Sequence, residues 1–99
     1  MKKTFPLTHP KINPARLVES IQGDVNKYIK RERSKKLPEG VDFWDFDCKV
    51  GVTAETAEST HVTKVSKAVA QVLGDGGETC YVELIAKPGV RMKKPRVED

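Results

Sequence analysis

Hydrophobic and polar residues alternate most clearly in segment 44–52. The apolar positions are Trp44, Phe46, Cys48, Val50 and Val52, and the residues between them are Asp45, Asp47, Lys49 and Gly51. A period of two predicts a β-strand with one buried side and one side facing solvent. Segment 43–46 also contains the only Trp and two of the three Phe, so we expect this strand to supply much of the hydrophobic core.

A helical pattern precedes this strand. Asn13 followed by Pro14 is a typical helix start, because Asn can accept a hydrogen bond from the first turn and Pro needs no backbone donor there. Apolar residues then recur at spacings of three and four, at Leu17, Val18, Ile21, Val25, Tyr28 and Ile29. This spacing predicts an amphipathic helix, which continues into a charged extension at 30–36.

The rest of the chain predicts a second helix and three further strands. Segment 3–7 is a short strand that its proline confines to a sheet edge or to a short pairing at the strand's end. Segment 53–58 is a turn or the start of a helix, and for 59–62 we prefer a short strand. The second helix buries Val65, Val69, Val72 and Leu73 and ends at the glycines of 74–77. The last strand, 79–87, is stopped by Pro88-Gly89.

This order predicts an α+β fold, in which an antiparallel sheet carries two helices on one face in the β-α-β-β-α-β order of ferredoxin-like proteins. A helical 53–62 would instead give a three-stranded α+β sandwich. We expect a single domain at 1–89 and a basic, flexible tail at 90–99. The predicted core consists of Leu17, Ile21, Val25, Tyr28, Trp44, Phe46, Val50, Val69, Leu73, Val82 and Leu84.

The composition, with 37% hydrophobic and 32% charged residues, is that of a soluble globular protein. No long apolar run suggests a membrane segment or a secretion signal, so we expect a cytoplasmic protein. Cys48 and Cys80 both lie in predicted strands without a closely spaced partner. We expect them to be reduced and buried.

Charge is distributed unevenly along the chain. Residues 1–36 carry ten basic and three acidic side chains, 37–86 carry three basic and nine acidic ones, and 87–99 carry five basic and two acidic ones. Such segregation favours an acidic partner for one surface, or pairing of the basic tail with an acidic face of the same molecule.

The basic side chains of the first helix and the tail form the best candidate site. They are Arg16, Lys27, Lys30, Arg31, Arg33, Lys35, Lys36, Arg91, Lys93 and Lys94. Several share a helix face with small residues, which would let a phosphate backbone approach closely. We therefore predict a non-catalytic module that holds RNA, DNA or another polyanion, although an ordinary solvated helix face has a similar composition.

The candidates for other chemistry are weaker. Asp45 and Asp47 share one strand face, with Asp42 nearby, but they lack a third ligand or a base, and we expect them to be solvated or to meet the basic tail. The residues with zinc-ligating side chains, His9, His61, Cys48 and Cys80, lack the paired spacing of zinc sites. We expect no metal, no cofactor and no enzyme. A small enzyme, the remote alternative, would need a cleft around these residues.

The nearer alternative is a protein-interaction or homodimeric module, in which an edge strand and the acidic strand face contact a protein partner. An RNA-recognition motif is not indicated, because Trp44 and Phe46 are predicted on the core side and aspartates on the open side of the sheet. Nucleic acid is therefore expected on the helix side. Phe43, on the outward face, is the one aromatic residue that could contact it.

Three segments resemble a family of short bacterial proteins catalogued as a domain of unknown function. They are MKKTFPLTHPK at 1–11, LPEGVDFWDFDC at 37–48 and YVELIAKPG at 81–89. The resemblance extends over nearly the whole chain. It implies no activity, cofactor or site residue.

Overall fold

The structure, a computed structural model, describes residues 1–90. Its elements are β1 (Lys2–Pro6), α1 (Pro14–Arg33), β2 (Phe43–Gly51), β3 (Glu58–Thr60), a 3-10 helix (Val62–Lys64), α2 (Val65–Gly74) and β4 (Thr79–Gly89). The predicted α+β class is confirmed, and 53–62 contains the preferred short strand. The predictions for the tail, including Arg91, Lys93 and Lys94, lie outside the described residues. No helix within 1–90 is long and apolar enough to span a membrane.

The four strands form one antiparallel sheet in the order β1-β4-β2-β3. The ferredoxin-like arrangement is not confirmed, because such a sheet has its first and third strands in the centre, whereas β4 and β2 are central here. These two are the longest strands, and they pair from Phe43 opposite Gly89 to Gly51 opposite Tyr81. Placing both in the centre gives hydrogen-bond partners to most of the strand backbone.

β1 is an edge strand, as its proline predicts. It pairs with β4 from Lys2 opposite Glu83 to Pro6 opposite Thr79. The pairing continues at Met1, whose nitrogen donates to the Leu84 carbonyl at 2.6 Å and whose carbonyl accepts from the Leu84 nitrogen at 2.7 Å. Met1 and Leu84, which are 83 residues apart in the sequence, are therefore neighbours in the sheet.

α1 begins as predicted, since the Asn13 side-chain oxygen accepts a hydrogen bond from the Ala15 nitrogen at 2.8 Å. Its apolar side lies on the sheet, with Val18, Ile21, Val25 and Ile29 buried. α2 packs beside it and buries Val65, Val69 and Val72. The Gln22 side-chain nitrogen links the two helices by donating to the Ser66 carbonyl at 2.8 Å. Burial of these two apolar stripes against the sheet contributes to the hydrophobic stabilisation of the fold.

The core lies between the helices and one face of the sheet. Its buried sheet residues are Phe5, Phe46, Cys48, Val50, Cys80, Val82 and Leu84. Three predicted core residues, Tyr28, Trp44 and Leu73, are only partly buried against it, and Leu17 is also partly exposed. Trp44 is the second residue of β2, and its indole contacts Lys35 just after the end of α1, so its core-facing position is at the margin of the layer.

β4 continues through the predicted stop. Pro88 lies opposite Trp44 and Gly89 opposite Phe43. Beyond Leu84, β4 has a neighbouring strand on one side only among residues 1–90, because its pairing with β1 ends there. A proline is compatible with such an edge position, since it lacks only the backbone donor that would serve a second neighbouring strand.

The turn between β2 and β3 folds back onto β2. Thr53 and Thr56 hold it through a 2.9 Å contact between their hydroxyl oxygens. A Cβ on Gly51 would lie 2.5 Å from the Cα of Ala57. Only glycine therefore fits at this position without moving the turn.

Candidate polyanion-binding surface

All seven cations predicted on and after α1 are exposed, but they are not one continuous patch. Arg16 lies in the first turn, eleven residues before Lys27, which separates the two by about 16 Å along the helix axis. Lys35 and Lys36 follow the end of α1, where the Ser34 hydroxyl donates to the Arg31 carbonyl at 2.8 Å. The structure therefore concentrates the predicted site in the C-terminal half of α1 and leaves Arg16 apart.

A groove between β1 and α1 brings three cations together. It has a volume of about 560 Å³ and is lined by Met1, Lys3, Phe5, Asp24, Lys27, Tyr28 and Arg31. We call it the β1/α1 groove. The Lys3 ammonium lies 5.0 Å from the centre of the Phe5 ring, and the Arg31 guanidinium lies 5.4 Å from the centre of the Tyr28 ring. Both cations are thus held against aromatic faces, which stabilises their positions.

The sequence prediction missed Lys3. Phe5 and Lys3 lie two residues apart on β1, so they point to the same side of the sheet, and Lys3 lies opposite the core residue Val82. The alternation of Lys3, Phe5 and Leu7 in the sequence contains this signal. What the sequence does not contain is the packing of β1 beside Lys27 and Arg31.

Glu32 is a second residue that the sequence prediction missed. It is only 8% exposed, and its carboxylate oxygens lie 3.0 Å from the Lys35 ammonium and 3.6 Å from Arg31 Nε. A carboxylate at a helix C-terminus is unfavourable for the helix dipole, and the two cations offset that cost. Lys35 therefore serves the protein's own fold, whereas Lys3, Lys27 and Lys30 have no carboxylate within ion-pair distance among residues 1–90.

A smaller cavity, the aromatic notch, lies at the C-terminal end of α1. It has a volume of about 230 Å³ and is lined by Arg33, Leu37, Phe43 and Trp44. The Trp44 indole nitrogen donates to the Lys35 carbonyl at 3.0 Å, which fixes the ring beside the helix end. The Phe43 ring lies over Gly89, where an added Cβ would be only 2.5 Å from a ring carbon. The notch thus combines aromatic surface with an exposed guanidinium.

The described chain leaves the sheet at this notch. Gly89 is paired with Phe43, and Val90 follows it.

A family model described as a family of unknown function, DUF6172, matches residues 1–95. The chain belongs to DUF6172. This membership confirms the resemblance drawn from the three sequence segments, and the matched region contains both the groove and the notch. Neither a curated protein nor a solved structure matched the chain.

The open face of the sheet, the side without helices, is charge-balanced in this DUF6172 member. The Lys87 ammonium donates to an Asp47 oxygen at 2.7 Å, and this hydrogen bond raises the pKa of Lys87. Asp45 lies opposite Lys87, and Glu83 lies between Lys2 and Lys49 of the neighbouring strands. The strand aspartates therefore have lysine neighbours within the sheet itself, whereas the sequence predicted that they are solvated or meet the basic tail.

Of the predicted zinc-type side chains in this DUF6172 member, only Cys48 and His61 line a common cavity within residues 1–90. The ring nitrogens of His9 and His61 accept hydrogen bonds from nearby backbone, at 3.0 Å and 3.2 Å respectively. Cys48 and Cys80 are free and buried, as predicted, and burial raises the pKa of each thiol to about 11. Over residues 1–90, no group of three or more His, Cys, Asp or Glu side chains could hold a metal ion.

Proposed function

We propose that this protein is a non-catalytic binding module that holds RNA or another polyanion on the C-terminal half of α1. The β1/α1 groove carries the proposal. Lys3 and Lys27 project from different elements into one concave surface, Arg31 completes it, and Lys30 lies on the adjacent exposed face of the helix. Concave surfaces that collect several exposed cations neutralise neighbouring phosphates together, and this cooperation is the main source of affinity for nucleic acid backbones.

The distribution of ion pairs supports the same surface. Lys87 on the open face is paired with Asp47, and Lys35 is paired with Glu32. The lysines of the groove have no such partner among the described residues, although Asp24 lines part of its wall. Their charge is therefore available to a ligand, and we propose that the tail cations Arg91, Lys93 and Lys94 contribute to the same site.

Charge reversal provides the test. The triple variant Lys3→Glu, Lys27→Glu, Lys30→Glu alters the proposed surface. The control triple variant Lys11→Glu, Lys64→Glu, Lys67→Glu changes the net charge equally at exposed positions near the start of α1 and on or before α2. Both should keep the wild-type circular dichroism spectrum, because none of the six lysines is buried.

Binding is measured by fluorescence anisotropy of a short labelled RNA and by competition with inorganic polyphosphate over a range of salt concentrations. The wild-type protein and the control should bind with a log-linear salt dependence. The groove variant should bind more weakly, with a slope smaller by roughly two, since three phosphate contacts are lost. Equal losses in both triple variants would show that net charge alone drives binding and would refute the proposed site.

The alternative, a protein-interaction or homodimeric module, has less support from the geometry. It requires an acidic strand face, and on the open face Asp45, Asp47 and Glu83 have lysine neighbours. Its other requirement, an exposed edge strand, is met by β1, but Lys2, Lys3 and Pro6 are typical of edges protected against pairing. Binding of a protein partner with little salt dependence would favour this alternative.

A cytoplasmic location is part of the proposal. RNA is abundant in that compartment, and the two buried, free cysteines are compatible with its reducing conditions. Fractionation of the native cells, with the protein detected in each fraction, tests this part separately from binding.

A further inference from the structure

We infer that the polyanion is a single-stranded nucleic acid, with phosphates along the β1/α1 groove and one base in the aromatic notch. This inference rests on the proposed function and names its ligand class. Its basis is that the β1/α1 groove and the aromatic notch, which both combine cations with aromatic rings, lie at the same end of α1. A polyanion without bases would use the cations alone.

The notch has the chemistry of a base-binding site. Phe43 and Trp44 are partly exposed aromatic residues, and Leu37 is 38% exposed beside them. Arg33 lines the same cavity and lies 5.7 Å from the centre of the Phe46 ring, which holds its guanidinium in place. Aromatic rings beside fixed guanidinium groups stack unpaired bases without requiring a particular sequence.

The groove and the notch are positioned for one continuous strand. Lys27 and Arg33 are six residues apart on α1, which is about 9 Å along the helix axis. Arg31 lies between them and belongs to the groove. An extended strand of a few nucleotides covers this distance, so its phosphates can contact the groove while a neighbouring base enters the notch.

A duplex would not use the notch. Its bases are stacked inside the helix, and it presents phosphates and groove edges to a protein. A cavity of about 230 Å³ at a helix end admits a base that has left the stack but not the edge of an intact duplex. The aromatic surface therefore favours a single strand over a duplex.

The experiment uses the whole protein and four probes, which are a single-stranded RNA, the DNA of the same sequence, the RNA duplex and inorganic polyphosphate. Trp44 is the only tryptophan and lines the notch, so its fluorescence reports on base binding there. We expect the single strands to quench Trp44 emission, and polyphosphate to bind without quenching it. Comparison of the RNA and DNA strands shows whether the 2′-hydroxyl contributes.

Phe43 provides the matched variants. Phe43→Leu removes the ring and keeps apolar volume, and it should weaken single-strand binding by about 5- to 100-fold while leaving polyphosphate binding unchanged. Phe43→Tyr keeps the ring and should restore single-strand affinity. Ile85→Val, a change at an exposed residue of the open face, is the control and should bind like the wild-type protein.

The outcomes separate this inference from the proposed function. If the duplex binds as tightly as the single strand, or polyphosphate quenches Trp44 equally, the inference is overturned and the polyanion site stands. If no probe binds with a salt-dependent affinity, both are overturned. If Phe43→Leu fails to fold, the Trp44 quenching in the wild-type protein still decides between the ligands.

Discussion

The sharpest stability prediction concerns two aromatic residues two positions apart on β2. Phe46 is 5% exposed, and its ring packs edge-to-face on Tyr28, with ring centres 6.5 Å apart at 66°. Phe46→Ala removes a fully packed ring and leaves a cavity, which costs about 3–5 kcal/mol. The lost aromatic pair, worth about 0.5–1.5 kcal/mol, is included in this figure. For a domain with a total free energy of unfolding of about 5–15 kcal/mol, this loss removes a large fraction of the stability.

Trp44→Ala should cost less, although Trp is the larger side chain. Its ring is only partly buried, and its hydrogen bond to the Lys35 carbonyl lies at an exposed site. Partial burial and one exposed hydrogen bond together amount to about 2 kcal/mol. The expected order of stability is therefore wild type, then Trp44→Ala, then Phe46→Ala.

Urea unfolding followed by far-ultraviolet circular dichroism measures both losses, and the slope of each transition checks that the unfolded states are comparable. Phe46→Leu is the control, since it keeps most of the volume and should cost less than Phe46→Ala. A Trp44→Ala variant as unstable as Phe46→Ala would refute the argument. It would mean that Trp44, as the sequence pattern suggested, anchors the core.

Two further predictions concern glycines and thiols. Gly51→Ala should destabilise the protein by about 1–3 kcal/mol, because its Cβ meets the backbone of Ala57. Gly23→Ala, on α1 with no atom within 4 Å of the added Cβ, should stabilise it by about 1 kcal/mol. Thermal unfolding measures both changes, and a shift of the melting temperature in the same direction for both variants would contradict this account. Burial raises the thiol pKa of Cys48 and Cys80 from 9.0 to about 11. Their stabilising contribution is therefore complete below pH 9 and is lost as pH rises toward 11. Urea titrations across this range should show a smaller decline in a Cys48→Ala, Cys80→Ala variant, and an identical decline would exclude the thiols as its cause.

Local patterns were sufficient to predict the elements. The Asn13-Pro14 start and the three- and four-residue spacing identified α1 because helix formation depends on neighbouring residues. The alternation through Phe46 and Cys48 identified β2 and its buried side for the same reason. β4 was found with its end two residues short, because the effect of Pro88 depends on whether a second strand lies beside it.

The arrangement in space depended on information that local patterns lack. The predicted ferredoxin-like strand order is not confirmed, because strand order is decided by pairing between segments that are distant in the sequence. The alternation pattern puts Trp44 on the buried side of β2 and so predicts a core residue. Its exposure, however, depends on where α1 ends relative to the strand. The groove depends on Lys3, which lies 24 residues before Lys27 in the sequence and beside it in the fold.

The position of β4 has a consequence for how the protein acquires its structure. β4 is the last strand of the described chain and lies between β1 and β2, so neither can complete its pairing until residues 79–89 have been synthesised. During translation β1, α1 and β2 lack the strand that joins them. Contacts between residues as distant as Met1 and Leu84 slow folding, because a long loop must close before they form. Assembly of the sheet should therefore be a late step that follows helix formation, and the groove between β1 and α1 should appear only with it.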